Sequence, residues 1–129
     1  MTAELTTIGK ALLAATTRRL RAATEELRAF VDLDTSSHDR EGLRQAAQWI
    51  GAQLRSLGMS VEEQDGGAPI VIGRMRGSGR HRFLLLAHFD TVFDPGEPGR
   101  RPFRIEGERA FGPGVADMKG GVVTAWEAL

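Results

Sequence analysis

The sequence predicts an α/β fold in which two amphipathic helices are followed by strands, hairpins and a further helix. Three observations support this prediction. Apolar residues recur at helical spacing as far as Leu57, and the pattern changes to that of strands after Gly58. The continuous apolar run over residues 83–87 is typical of a strand that is covered on both faces. A chain of 129 residues is long enough for one domain with a hydrophobic core.

Two long helices are predicted in the first half of the chain. Residues 3–31 form an amphipathic helix in which apolar positions alternate with arginine and glutamate. Ser36 and Asp39 resemble a capping box, and the second helix is predicted over residues 39–57. Its apolar stripe consists of Leu43, Ala46, Ala47, Ile50, Leu54 and Leu57. Gly58 is well placed to end this helix in a left-handed conformation.

Strands and hairpins are predicted over residues 59–111. Three strands are expected, over residues 59–64, 70–75 and 83–87. The glycine-rich and arginine-rich residues 76–81 predict the tip of a hairpin between the last two strands. A second, short hairpin is predicted around Gly107 and Glu108.

A third helix is predicted to start over residues 117–129, with Val122, Trp126 and Leu129 on its apolar face. The end of this segment has neither a terminal glycine nor a basic last turn, the usual signals that end a helix. We therefore expect the chain to be the truncated N-terminal part of a longer protein.

The composition excludes several classes of protein. The 17 basic and 17 acidic residues balance, so no overall positive field attracts nucleic acid. Because the chain has no cysteine, a metal site must use histidine and carboxylate ligands. Its apolar runs are too short for a membrane span or a signal peptide. These features predict a soluble, cytoplasmic protein that binds neither nucleic acid nor a membrane.

The first motif with chemical meaning is His88-Phe89-Asp90 at the end of the third predicted strand. Residues two apart on a strand share a face, so the imidazole and the carboxylate are expected to lie together. A metal-binding histidine commonly has its second ring nitrogen held by a carboxylate. Taken alone, the pattern favours a structural histidine followed by a turn that begins at Asp90.

The second motif places Asp117 in the glycine-rich residues 112–121. Taken alone, Asp117 fits a helix N-cap, where its side chain accepts backbone N–H groups. However, Gly120 and Gly121 in the first turn weaken a helix by about 1 kcal/mol each. This cost indicates that the backbone approaches another strand or a ligand closely at this point.

Three segments together resemble the M20 family of zinc metallopeptidases. They are LLLAHFDTV at residues 84–92, PFRIEG at residues 102–107 and GPGVADMKGG at residues 112–121. The family includes glutamate carboxypeptidases, aminoacylases, acetylornithine deacetylases and succinyl-diaminopimelate desuccinylases. The resemblance extends back through residues 35–37 and covers nearly all of the chain. It implies the N-terminal part of a three-layer αβα zinc-exopeptidase catalytic domain with a mixed sheet.

The resemblance also implies a role for each motif residue. His88 is a terminal ligand of one zinc ion, and Asp117 bridges two zinc ions. Asp90 is the catalytic carboxylate that supports the metal-binding shell. The peptide bond after Asp117 is expected to be cis. In the family pattern the remaining ligands and the glutamate general base lie beyond Leu129, and we interpret Glu127 as a solvated helix residue rather than as that base.

The function implied is zinc-dependent hydrolysis of a C-terminal peptide or amide bond, with glutamate carboxypeptidases as the most similar branch. The substrate is then a small peptide or an N-acyl amino acid, and the complete parent enzyme is expected to form a homodimer. The isolated chain is expected to be inactive because its site is incomplete. Two alternatives remain open: an N-acyl amino acid deacylase with the same site, and a non-catalytic fragment or remnant. Arg100 and Arg101 are interpreted as solvated loop residues, with binding of a substrate carboxylate as the less favoured role.

Overall fold

The computed structural model describes residues 6–129 and confirms the α/β class. Its helices are α1 (Thr7–Asp32), α2 (Arg40–Ser56), α3 (Glu97–Arg100) and α4 (Gly120–Glu127). Its strands are β1 (Ser60–Asp65), β2 (Pro69–Arg74), β3 (Arg104–Glu106) and β4 (Arg109–Phe111). Residues 3–5 of the first predicted helix lie outside the described part of the chain. None of the described helices combines the length and the apolar character that a membrane span requires.

The start of α2 corrects the predicted capping box. Asp39 is the N-cap, and its carboxylate accepts the backbone N–H groups of Glu41 and Gly42 at 3.1 and 3.2 Å. Ser36 is buried further upstream, and its hydroxyl accepts the N–H of His38 at 3.2 Å. Asp39 thus does the capping that we had assigned to Ser36, because its short carboxylate reaches the first free N–H groups of the helix.

The end of α2 agrees with the sequence. Gly58 has a φ of +82°, which a residue with a side chain rarely adopts. Its N–H donates to the carbonyl of Arg55 at 2.9 Å, and the N–H of Met59 donates to the carbonyl of Leu54 at 3.2 Å. These two bonds form a Schellman motif, which satisfies the last carbonyl groups of the helix and turns the chain towards β1.

Three aromatic side chains hold α1, α2 and α4 together. The Phe30 ring lies 5.1 Å from that of Trp49 and 6.0 Å from that of Trp126, and the two indoles are 5.6 Å apart. The buried members of this core are Phe30, Ile50, Val123 and Trp126. The indole N–H of Trp126 donates to Glu26 on α1 at 2.8 Å, so its polar atom is satisfied. Val123 and Trp126 of α4 are therefore buried in this core, whereas Leu129, predicted on the same face, lies beyond the end of the helix and is 54% exposed.

The interpretation of Glu127 as a solvated residue is wrong. Its carboxylate accepts two hydrogen bonds from Arg19 of α1, and only 14% of its side chain is exposed. The bonds from Arg19 hold the pKa of the Glu127 carboxyl below its usual range. Glu127 thus joins the end of α4 to α1.

The first two predicted strands are confirmed to within one residue at each end, but they form a hairpin with each other, whereas the sequence predicts a hairpin between the second and third strands. β1 and β2 form an antiparallel hairpin with the register Ser60 to Arg74 and Asp65 to Pro69, and this hairpin packs against α2. The predicted second hairpin is also confirmed as β3 and β4. Gly107, with a φ of +60°, occupies the first central position of its two-residue turn.

The predicted strand over residues 83–87 is wrong, and so is the hairpin tip over residues 76–81. Neither segment has regular secondary structure, and Phe83, Leu84 and Leu86 are 90%, 79% and 82% exposed. A buried strand needs hydrogen-bonded neighbours and covering layers. No other strand among residues 6–129 pairs with this run. The described chain therefore contains two separate antiparallel hairpins and not the mixed sheet that we expected.

We expect the 129-residue chain to self-associate in solution through its exposed run over residues 83–86. A contiguous apolar patch of this kind favours association. Changing Leu84 and Leu86 together to glutamate should shift the chain towards the monomer, as measured by size-exclusion chromatography with light scattering. Leu12→Glu, at another exposed apolar position on α1, is the matched control. A monomeric unsubstituted chain, or a monomer produced by Leu12→Glu alone, would contradict the prediction.

Candidate functional site

The loop that carries His88 and Asp90 is fastened to the connection between α1 and α2. The N–H of Thr91 donates to the carbonyl of Thr35 at 2.7 Å, and the N–H of Ser37 donates to the carbonyl of Thr91 at 2.8 Å. These bonds form an isolated parallel bridge, centred on Ser36 and Thr91. The bridge fixes the backbone beside both functional side chains although the preceding residues form no strand.

The structure brings His88, Asp90 and Asp117 together. His88 Nδ1 lies 3.2 Å from Asp90 Oδ1 and 3.2 Å from the Asp90 carbonyl oxygen. On the other side of the ring, His88 Nε2 lies 3.0 Å from Asp117 Oδ1. The His88 side chain is 48% exposed and that of Asp117 is 87% exposed. The imidazole therefore lies between two carboxylates, at a site that is open to solvent.

The charges of this group stabilise one another. The hydrogen bond to Asp117 is the largest influence that raises the pKa of His88, and the contacts with Asp90 add to it while partial burial opposes it. The pKa of Asp90 is lowered, first by the hydrogen bond that the Ser37 hydroxyl donates and then by His88. The site thus favours an ionised Asp90 next to a basic imidazole.

Asp117 lies in an irregular turn and not in the first turn of a helix. Its φ of −135° and ψ of 95° are far from helical values, and α4 begins only at Gly120. The peptide bond between Asp117 and Met118 is cis, as the family resemblance implies. The Asp117 carboxylate faces His88 and makes no capping bond to α4.

Close backbone approach explains two of the glycines around Asp117. Gly114 has a φ of +77°, and a Cβ atom there would lie 2.8 Å from the Thr91 methyl group. A Cβ at Gly120 would lie 2.7 Å from the carbonyl oxygen of Val115. The close neighbour of Gly120 is thus a carbonyl of the same turn and not the other strand or ligand that the sequence predicts, and a Cβ at Gly121 would make only an ordinary contact with Met118.

Lys119 is a buried residue of this turn whose role the sequence analysis missed. Its ammonium donates to the carbonyl oxygens of Phe30 at 2.9 Å and Leu33 at 3.0 Å, at the end of α1. Burial lowers the pKa of Lys119 to about 8, although the carboxylates of Asp34 and Asp32 act in the opposite direction. The signal was its spacing, since Lys119 precedes the buried Val123 by four residues and therefore continues the apolar stripe of α4.

Ser37 is a second residue that the sequence analysis left without a role. Its hydroxyl donates to Asp90 Oδ2 at 2.7 Å, on the side of the carboxylate away from His88. The two residues are 53 positions apart in the chain. Only its place in the resemblance, beside Thr35 and Ser36, distinguished it from other surface serines.

The loop arginines have partners within the chain. Arg100 and Arg101 both pair with Glu97, and the Arg101 guanidinium lies 4.5 Å from the centre of the Phe93 ring. Arg101 also lines an open cleft of about 300 Å³ together with Arg104 and residues of the following hairpin and turn. Both side chains are more than half exposed, as expected for solvated residues, and their pairing with Glu97 gives them a structural role in addition.

The described residues supply only part of a metal site. Over residues 6–129 there is no group of three or more His, Cys, Asp or Glu side chains arranged to hold an ion. His88 Nε2 and Asp117 Oδ1 are nevertheless donors of the right type, and they face each other at 3.0 Å. Two donor atoms bound to one tetrahedral zinc ion lie about 3.4 Å from each other. His88 Nε2 and Asp117 Oδ1 would therefore need to move apart only slightly to hold an ion. Further ligands must come from outside this group.

Comparison with known proteins gives consistent matches. Residues 84–129 match the family described as peptidase family M20/M25/M40. Carboxypeptidase G2 of Pseudomonas sp. (strain RS-16) is 36% identical over 114 residues, which are 85% of this chain and 28% of that protein. Acetylornithine deacetylase of Vibrio campbellii (strain ATCC BAA-1116) is 35% identical over 94 residues, which are 69% of this chain and 25% of that protein. The chain thus spans 25–28% of the length of these relatives.

Proposed function

This chain belongs to the M20 family of peptidases, and on that premise we propose that it is the N-terminal part of a zinc-dependent hydrolase that cleaves a C-terminal peptide or amide bond. The observation that carries the proposal is the His88 imidazole placed between the carboxylates of Asp90 and Asp117. Similarity to carboxypeptidase G2 over 85% of the chain favours a carboxypeptidase. The resemblance of the motifs to the glutamate carboxypeptidase branch favours glutamate as the residue released. A small peptide with a free C-terminal carboxylate is the proposed substrate.

Each of the three residues has a distinct part in this proposal. His88 Nε2 would hold one zinc ion, and the Asp117 carboxylate would be a ligand of both ions of the complete site. Asp90 accepts a hydrogen bond from Nδ1–H, which leaves the lone pair of Nε2 free for the metal. When bound, the zinc pair lowers the pKa of a water molecule and polarises the scissile carbonyl. The general base and the remaining ligands belong to other parts of the complete protein.

The second candidate function is N-acyl amino acid deacylation at the same site. The similarity to acetylornithine deacetylase over 69% of the chain supports it. Both reactions hydrolyse an amide next to a free carboxylate, so the three residues would act identically in them. The difference between the two activities lies in the substrate pocket.

Hydrolysis assays on the chain extended by its downstream coding sequence test the proposal. We expect the extended protein to release glutamate from a C-terminal glutamyl peptide, and to lose this activity with a chelator and regain it with zinc. The 129-residue chain alone should hydrolyse nothing. Preference for N-acetylornithine would favour the deacylase instead. Chelator-sensitive hydrolysis by the 129-residue chain, or an extended protein without zinc-dependent hydrolysis, would refute the proposal.

A further inference from the structure

We propose that Ser37 is a positioning residue of this site, whose hydroxyl orients the Asp90 carboxylate and thereby sets which ring nitrogen of His88 carries the proton. The consequence for catalysis rests on the proposed function, whereas the effect on His88 is a property of the metal-free chain.

Two contacts link the Ser37 hydroxyl through the Asp90 carboxylate to Nδ1 of His88. The Ser37 hydroxyl donates to Asp90 Oδ2 at 2.7 Å, and Asp90 Oδ1 lies 3.2 Å from His88 Nδ1. The hydroxyl and the imidazole therefore use different oxygens of one planar carboxylate. A bond at Oδ2 restricts rotation of the carboxylate and keeps Oδ1 directed at Nδ1. A hydrogen bond to an ionised acceptor is stronger than a neutral one, which makes this restraint effective.

The backbone holds the Ser37 hydroxyl in place. The N–H of Ser37 donates to the carbonyl of Thr91 at 2.8 Å, directly beside Asp90 in the chain. The hydroxyl itself also lies 3.0 Å from that carbonyl oxygen, but the bond to the carboxylate is shorter and charge-assisted. The Ser37 side chain is exposed, so removal of its oxygen opens no cavity in the core.

The orientation of Asp90 matters because a neutral imidazole carries one proton, on either Nδ1 or Nε2. An Asp90 oxygen directed at Nδ1 favours the proton on that nitrogen. Asp117 Oδ1 lies 3.0 Å from Nε2 and favours the proton there, so in the metal-free chain the two carboxylates compete for it. The form with the proton on Nδ1 is the one that leaves Nε2 a lone pair for a metal ion. Without the serine hydroxyl the carboxylate rotates more freely, and the Nδ1–H form loses part of its stabilisation.

The test is the ring-nitrogen NMR spectrum of His88 in the metal-free 129-residue chain, at a pH where the imidazole is neutral. We expect Ser37→Ala to lower the ratio of the Nδ1–H form to the Nε2–H form by about fivefold, the size of one hydrogen bond. Ser37→Thr retains the hydroxyl and should restore the ratio. Ser56→Ala is the matched control, because it removes a different exposed hydroxyl, bonded to the carbonyl of Gln53.

A double-substitution cycle separates positioning from a general structural effect. If Ser37 acts through Asp90, then Ser37→Ala should change nothing further in a chain that already carries Asp90→Ala. Far-UV circular dichroism verifies that each variant is folded. An unchanged ratio in Ser37→Ala, failure of Ser37→Thr to restore it, or an equal change in the Asp90→Ala background would overturn the proposal. Because the measurement involves neither metal nor substrate, its outcome is independent of whether the extended protein hydrolyses peptides.

Discussion

Replacing Lys119 with methionine is expected to lower the free energy of unfolding of this chain by about 2–3 kcal/mol. The carbonyl groups of Phe30 and Leu33 lie at the end of α1, where helix carbonyls have no partner within the helix. The Lys119 ammonium satisfies both. Methionine has a similar length and fills the space, but it leaves both carbonyls without a donor. Methionine avoids the desolvation cost of the buried Lys119 ammonium, but this gain offsets only part of the loss.

Urea unfolding of the 129-residue chain measures the effect. Lys10→Met is the matched control, because Lys10 is an exposed residue on the same helix that Lys119 caps. We expect the control to change the free energy of unfolding by less than about 0.5 kcal/mol. Equal effects of the two substitutions would show that the bonds of Lys119 to α1 contribute nothing net.

The elements predicted best from the sequence are those determined by residues that lie close together in the chain. The helices α1 and α2 have apolar residues at helical spacing, and β3 and β4 are joined by a two-residue turn that contains Gly107. The run over residues 83–87 failed as a strand for the opposite reason. Its apolar character indicates burial, but pairing depends on partners elsewhere in a fold, and residues 6–129 supply none.

The candidate site was predictable only in part for a related reason. His88, Asp90 and Asp117 lie in two short motifs that the family resemblance singles out, and the structure brings them within hydrogen-bond distance. The contacts that support them are long-range. Ser37 is 53 residues from Asp90, and Lys119 is 89 residues from Phe30. Neither has a local sequence pattern that names its partner, so only the folded chain reveals these contacts.

Asp117→Ala is expected to remove both zinc ions and the hydrolytic activity from the extended protein that we propose. A carboxylate that bridges two ions is a ligand of each, so its loss weakens both sites at once. The variant should therefore bind zinc more than about 100-fold more weakly, beyond the range for residues that only support a ligand. Zinc content after dialysis and the rate of peptide hydrolysis measure the two effects.

The comparison with Asp90→Ala separates the two roles that we assign. Asp90 contacts His88 Nδ1, whereas Asp117 contacts the other ring nitrogen, Nε2. Its loss should thus reduce zinc affinity by only about 10–100-fold and leave stoichiometric zinc at high concentration. Asp65→Ala, which removes a carboxylate from the surface ion pairs of Asp65 with Arg40 and Arg44, should change neither measurement. Normal zinc content in Asp117→Ala, or a greater loss in Asp90→Ala, would reverse the assignment of the bridging and supporting carboxylates.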